Sequence, residues 1–189
     1  MKNVLIVIDM QNDFINGALG TKEAQAIVNN VKNKIDEYHA CGYDVVFTRD
    51  THQENYLETM EGKFLPVKHC IQNTNGWAIA KELNTSIASA IIDKPNFGYI
   101  DWVSYLSNFI DIADKDSWIP MQQERCPERI EIVGLCTDIC VVSNALILKA
   151  TYPETNITVD ASCCAGVTPE SHQAALTTMK MCQINVIGE

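Results

Sequence analysis

Cys140 stands in the turn GLCTDIC, between the β-branched run IEIVGL (130 to 135) and VVSNALILKA, an apolar run with helical spacing. A thiol in the first turn of a helix meets unpaired backbone N–H groups and the positive end of the helix dipole. Both favour a thiolate, and the same N–H groups suit the oxyanion of a tetrahedral intermediate. Thr137 or Asp138 is the expected cap of that helix. Asp9, which ends VLIVID, is available as a base for the thiol proton, and Lys94, which ends ASAIIDK, as a fixed cation. Cysteine, base and cation together form a set for nucleophilic acyl transfer. Each also has a plain structural role to weigh against this: a thiol used as a small core hydrophobe, a carboxylate ending a strand, an exposed lysine. Chemistry is favoured because all three fall at the carboxyl ends of strand-like runs.

A second group offers metal donors. Asp50 and His52 are one residue apart, so on an extended chain their side chains leave the same face. His69 returns from a polar stretch, and Glu54, Glu58 and Glu61 lie between as further carboxylates. Imidazole and carboxylate donors suit zinc, iron or manganese. A DxH spacing alone is weak evidence, since polar loops carry it by chance. Of the remaining histidines, His39 near a helix end reads as structural and His172 as solvated.

The elements that must position these residues follow from hydrophobic periodicity. Strands are expected at 4 to 9, 43 to 50, 88 to 94, 130 to 135, 156 to 162 and 184 to 187. Residues 22 to 40 form a helix with Ile27, Val31, Ile35 and Tyr38 on one stripe, stopped at Gly42. A last helix, 170 to 182, turns Ala174, Ala175, Met179 and Cys182 inward. Such alternation implies an α/β fold with three α/β/α layers around a six-stranded, mostly parallel sheet joined by right-handed crossovers. Ligands bind beyond the carboxyl ends of such strands, where strand order reverses, and there Asp9, Asp50, Lys94 and GLCTDIC converge. The stretch 51 to 78 is too long for an ordinary loop and is expected to be a functional excursion. The segment 113 to 128 reads as irregular surface or an oligomer contact.

Composition narrows the class. At 189 residues and 47% hydrophobic content, the chain supports one well-buried core, expected to be a single domain over 1 to 189. A net charge of −10, with no basic cluster, argues against a nucleic-acid partner. The opening MKNVLIVIDMQNDF reads as a strand and not a signal peptide, and no apolar run reaches membrane-spanning length. Eight cysteines without a regular framework read as reduced thiols, which places the protein in the cytoplasm. An activated Cys140 is expected to react fastest of the eight near neutral pH.

Several pieces, in this order, resemble the isochorismatase-like cysteine hydrolases, most closely their nicotinamidase branch: VIDMQNDF, TRDTH, LPVKHC, DKPNFG, GLCTDICV and DASCCAGVTPESHQAAL. The likeness spans nearly the whole chain. It implies a catalytic triad of Asp9, Lys94 and Cys140, a cis peptide between Leu135 and Cys136, and an oxyanion hole from the N–H groups of Cys136 and Cys140. It implies a divalent metal, zinc foremost with iron or manganese as alternatives, on Asp50, His52 and His69. Glu61 is chosen as a fourth ligand, with Glu58 the other option. Phe14 matches an aromatic that stacks on the substrate ring, and Leu135 lies beside it. The implied reaction is hydrolysis of a primary carboxamide, nicotinamide to nicotinate and ammonia, by a homo-oligomer. One departure stands out: where the branch often has a tryptophan and paired prolines, this chain has Leu65, Pro66, Val67 and Lys68. Phe97, Tyr99 or Trp102 is expected to supply the missing aromatic wall. Siblings acting on another amide or ureido substrate keep the same residues. Vinyl-ether-cleaving members need neither the cysteine nor this metal set, and a non-catalytic binding protein does not need the polar rim.

Overall fold

The computed structural model describes residues 3–107 and 127–189. Its centre is a sheet of six strands: β1 (Asn3–Ile8), β2 (Asp44–Asp50), β3 (Ala90–Lys94), β4 (Arg129–Leu135), β5 (Asn156–Ala165) and β6 (Asn185–Ile187). Their order is β3-β2-β1-β4-β5-β6, and every pairing is parallel. The chain winds outward from β1 in one direction and from β4 in the other. The reversal therefore falls between the strands that carry Asp9 and GLCTDIC.

Strand β1 shows why both faces must be covered. Val4, Ile6 and Ile8 point into one core and Leu5 and Val7 into the other, all at most 1% exposed. Helix α1 (Asn12–Ile15) and helix α2 (Lys22–Ala40) cover the second face, α2 with the expected stripe of Ile27, Val31, Ile35 and Tyr38. Thr21 caps α2 by accepting from the Ala24 N–H, and Gly42 ends it at φ 70°, a conformation that suits glycine. On the first face lie α4 (Trp102–Ser107), α5 (Val142–Thr151) and α6 (Pro169–Met181).

Two local expectations change. In α6 the buried residues are Ala175, Leu176 and Met179, while Ala174 and Cys182 face solvent. The larger Leu176 sets the rotation of the helix, because it offers more apolar area than an alanine. Strand β5 runs three residues beyond the expected end, and its register against β4 shifts between Ile132 and Gly134. That irregularity brings Cys164 and Ala165 beside Gly134 and Leu135.

The excursion 51 to 78 has structure of its own. Its short helix α3 (Met60–Phe64) is capped by Thr59, whose hydroxyl accepts from the Gly62 N–H. Tyr56 is fully buried beneath it and donates to the Leu65 carbonyl at 3.0 Å. All but the last two residues of the segment 113 to 128 lie outside the described residues, as does Cys126. The other seven cysteines are free thiols. Among the described residues, no helix is long and apolar enough to cross a membrane.

Candidate active site

Asp9 follows the last residue of β1 with φ 46°, a left-handed conformation that costs a non-glycine residue free energy. The bend turns its carboxylate under the rim of the sheet, where it is fully buried. Thr48 Oγ1 on β2 donates to Asp9 Oδ1 at 2.7 Å and accepts from the Asp9 N–H at 3.2 Å. Lys94, also fully buried, ends β3 two strands away. Its Nζ lies 2.6 Å from Asp9 Oδ2, 3.6 Å from Cys140 Sγ and 3.1 Å from the Asn96 carbonyl. Cys140 is 4% exposed and reaches this pair from beyond β4. The three residues thus converge on one point, although they are distant in sequence.

Gly134 makes the approach of β4 possible. It adopts φ +120°, and a Cβ there would stand 2.1 Å from the Ile8 carbonyl oxygen of β1. The next peptide bond but one, Leu135–Cys136, is cis. The turn Thr137–Val141 is π-helical, with the Val141 N–H bonded to the Cys136 carbonyl, and it leads directly into α5. Neither expected residue caps it. The Thr137 hydroxyl pairs with His172 Nδ1 at 2.8 Å, and Asp138 accepts from the Val167 N–H. Both side chains tie the turn to the β5–α6 junction, so His172 is engaged and not merely solvated.

Electrostatics revise the picture of the thiol. Burial pushes the Cys140 pKa well above its usual value; Asp9 adds to this and Lys94 only partly opposes it. Burial likewise raises Asp9, against the attraction of Lys94. Lys94 keeps its proton, because Asp9, Cys140 and Asp50 outweigh its desolvation. The resting pair is therefore a neutral thiol beside a carboxylate of increased basicity, in place of the standing thiolate expected from the helix dipole. Asp9 is within hydrogen-bonding reach of the sulfur, so a base stands where the thiol proton can pass to it.

A cavity of about 290 Å³ opens over Cys140. Phe14, Leu135, Cys136 and Phe97 line it, with Leu65, Ile139 and Val167. Asp50, Glu61 and His69 border it as well. The Phe14 ring is tilted against His69, with centroids 5.5 Å apart. Tyr99 and Trp102 do not line the cavity. Trp102 is fully buried under α5, where its Nε1–H donates to Asn144, and Tyr99 packs edge-on against it at 5.1 Å. An indole that starts a helix over an apolar core is drawn inward, which leaves Phe97 as the aromatic wall among the three.

The donors of Asp50, His52, Glu61 and His69 all lie within 4.8 Å of one another. His52 Nε2 sits 2.9 Å from Asp50 Oδ2 and 3.4 Å from Glu61 Oε1, yet it makes no well-directed hydrogen bond although it is buried. The His69 Nδ1 pairs with the Val67 carbonyl at 2.9 Å, so its Nε2 faces the carboxylates. An orphaned imidazole nitrogen among two carboxylates and a second imidazole fits a divalent cation. Burial disfavours the His52 imidazolium, but Asp50 and Glu61 outweigh this and raise its pKa to about 9. Proton and cation therefore compete for one nitrogen.

Sequence reasoning passed over the supporting shell. Gln11 donates to the carbonyls of Asp50 and Trp77, both at 2.8 Å, and accepts from the Asp50 N–H at 2.7 Å. Asp13 accepts from the Cys70 N–H at 2.8 Å, which holds the loop carrying His69. Gln11 and Asp13 both lie in the quoted opening motif; their polarity at buried or turn positions was the available signal.

Comparison with known proteins agrees with this arrangement. The isochorismatase domain family model matches residues 3–188. The chain is 24% identical to a nicotinamidase of Saccharomyces cerevisiae, over 98% of this chain and 99% of that protein. It is 26% identical to the nicotinamidase/pyrazinamidase of Mycobacterium tuberculosis, with 97% of each covered. Among solved structures, the pyrazinamidase of Pyrococcus horikoshii in complex with zinc superposes with a TM-score of 0.80 at 27% identity, covering 100% of both chains. A match over nearly the full length, on a fold whose polar rim sits at the strand reversal, shows that this chain belongs to the isochorismatase family of hydrolases.

Proposed function

We propose that this protein hydrolyses a primary carboxamide on an aromatic ring, nicotinamide to nicotinate and ammonia, through a thioester on Cys140. The observation that carries this reading is Lys94 Nζ standing 2.6 Å from Asp9 and 3.6 Å from the Sγ of Cys140, which lines a cavity bordered by candidate metal donors.

In the reaction, Asp9 takes the proton of the Cys140 thiol and the sulfur attacks the amide carbon. Lys94 stabilises the thiolate as it forms, and its bond to Asp9 keeps the base aimed at the sulfur. The oxyanion is assigned to the backbone N–H groups of Cys136 and Cys140. Asp9 returns its proton to the amide nitrogen, the C–N bond breaks, and ammonia leaves. Asp9 next removes a proton from water, the oxygen attacks the thioester carbon, and the C–S bond breaks. The released thiolate recovers a proton from Asp9 and the acid departs. Phe14 and Phe97 supply ring surface. Asp50, His52, Glu61 and His69 would hold a divalent ion, zinc foremost, which supplies a Lewis acid for a ring heteroatom. We assign the protein to a reducing cytoplasm, in keeping with the free thiols of the described residues, and to a homo-oligomeric state, which the family resemblance implies.

The test is ammonia release from nicotinamide, pyrazinamide and a set of aliphatic amides, comparing wild type with Cys140→Ala. Release from nicotinamide that disappears in the variant, with its circular dichroism unchanged, is the expected result. Full turnover by Cys140→Ala would remove the nucleophile from the scheme. Silence on nicotinamide with release from another amide would move the protein to a sibling hydrolase.

A further inference from the structure

Asn144 lies in the first turn of α5, fully buried beside the apolar Ala145 and Leu148. An unpaired amide in such a place costs roughly 1–3 kcal/mol, so its presence calls for partners. All four of its hydrogen-bonding positions are filled. Oδ1 accepts from the Tyr99 N–H at 2.9 Å and from Trp102 Nε1–H at 3.2 Å. Nδ2 donates to the Cys140 carbonyl at 2.8 Å and to the Phe97 carbonyl at 3.0 Å.

These partners belong to two separate parts of the site. Cys140 is in the π-helical turn, whereas Phe97, Tyr99 and Trp102 belong to the segment that leaves β3 after Lys94. The segment is seated closely on α5: a Cβ on Gly98 would meet Ile147 Cδ1 at 2.5 Å. The Phe97 ring lines the cavity and is 43% exposed, so packing of the ring does little to fix it. Its backbone is the anchored part, and Asn144 is the anchor. No other side chain would serve as well. Leucine fills the volume without bonds, aspartate lacks both amide donors, and glutamine is one methylene too long.

We propose that Asn144 is a positioning residue that fixes the distance between the Phe97 wall and the Cys140 turn, and so determines how the ring of an aromatic amide is held during attack. The inference rests on the amide-hydrolysis reading above. It predicts a split that general loss of stability does not produce. Asn144→Leu frees the Cys140 carbonyl and lowers kcat about tenfold, the scale of one lost hydrogen bond to a buried partner. It also loosens the wall and raises KM for an aromatic amide about fivefold. Phe97→Ala raises KM alone.

The decisive measurement is the double variant. With the wall already removed, freeing it costs nothing more: KM should equal that of Phe97→Ala, while kcat falls as in Asn144→Leu. A small aliphatic amide, too short to reach Phe97, should show only the kcat effect. Rates are expressed per folded molecule, the folded fraction being read from circular dichroism and a urea midpoint, which removes any unfolded fraction. Should Asn144→Leu fail to fold, Asn144→Ala removes the same bonds without crowding the site or adding a charge, and the same pattern is expected of it. KM effects that multiply in the double variant, or kcat and KM both unchanged per folded molecule, would overturn the proposal. A wild type inactive on nicotinamide refutes the substrate reading instead, and the comparison then uses the amide that it does hydrolyse.

Discussion

Lys94→Met tests the buried charge set most directly. Lys94 and Asp9 are both fully buried, 2.6 Å apart, and Asp50 Oδ1 lies 3.7 Å from the same Nζ. Methionine keeps most of the volume and removes the ammonium shared by these two carboxylates. Asp9 then retains the Thr48 hydroxyl at 2.7 Å but no opposing charge. Breaking one partner of such a pair costs about 3–5 kcal/mol, a large part of the 5–15 kcal/mol that holds a domain folded. With a urea m-value of about 2 kcal/mol/M, the unfolding midpoint should fall by about 2 M at pH 8, measured with chelator in both samples. The double variant Lys94→Met with Asp9→Asn removes both charges and should recover much of the loss.

The pH dependence has a definite sign. Burial already raises the folded-state pKa of Asp9 even with Lys94 present, and losing Lys94 raises it further. Folded protein then binds more protons than unfolded protein through the carboxylate range and above. Stability of Lys94→Met therefore falls as pH rises from the unfolded carboxylate value through the folded one, and its deficit shrinks on acidification. A deficit independent of pH, or a double variant weaker than Lys94→Met alone, would refute the argument.

Gly134→Ala should destabilise the chain by more than about 3 kcal/mol, since φ +120° and the Ile8 carbonyl both exclude a Cβ; a thermal melt near wild type would contradict this. Asp160 is bonded to Lys34 at 3.0 Å and to Ser162 at 2.6 Å; against the opposing effect of burial, these bonds keep its carboxyl below the usual range. Its contribution is present above the unfolded carboxylate value and lost as pH falls through the folded one. Asp160→Asn should thus cost roughly 1–2 kcal/mol at pH 7 and progressively less as pH falls below the ordinary carboxylate value, read from urea midpoints. In mass-mapped alkylation at pH 7 without substrate, the exposed Cys41 and Cys182 should react before Cys140, whose thiol is buried and held protonated; Cys140 labelling first would restore the standing thiolate.

The parts of this site legible in the sequence are those whose position follows from strand periodicity. Asp9, Asp50 and Lys94 each terminate or directly follow a run of β-branched residues, so a parallel sheet carries them to one edge without any knowledge of contacts. Residues whose role depends on a partner far along the chain were not legible. Asn144 serves backbone groups 4 to 47 positions away, and nothing in VVSNALILKA distinguishes it from a polar interruption. Trp102 misled for a related reason: aromatic content near a site says nothing of direction, and here the indole follows the helix inward. The capping reading of Thr137 and Asp138 failed because both side chains found partners in the β5–α6 junction and on α6, tertiary competitors that local rules cannot see. The inward stripe of α6 was displaced by side-chain size, which a pattern of apolar positions does not weigh.

Asp50 links the proposed nucleophile and the candidate metal donors into a single electrostatic unit. Its Oδ1 faces Lys94 at 3.7 Å, while its Oδ2 lies 2.9 Å from His52 Nε2 and 3.5 Å from His69 Nε2. Burial works against its charge, but the two histidines and Lys94 prevail and hold the carboxyl well below the usual range. It is therefore an anion throughout any working pH, shared between Lys94 and the two imidazoles. Asp9, Asp50 and Glu61 outnumber Lys94 on this rim, so the excess negative charge must be matched on the histidine side. A group with that double duty tolerates little movement, which accounts for the paired backbone bonds from Gln11 on both sides of Asp50. At the strand reversal, a single misplaced carboxylate would weaken the nucleophile's lysine and the metal donors together.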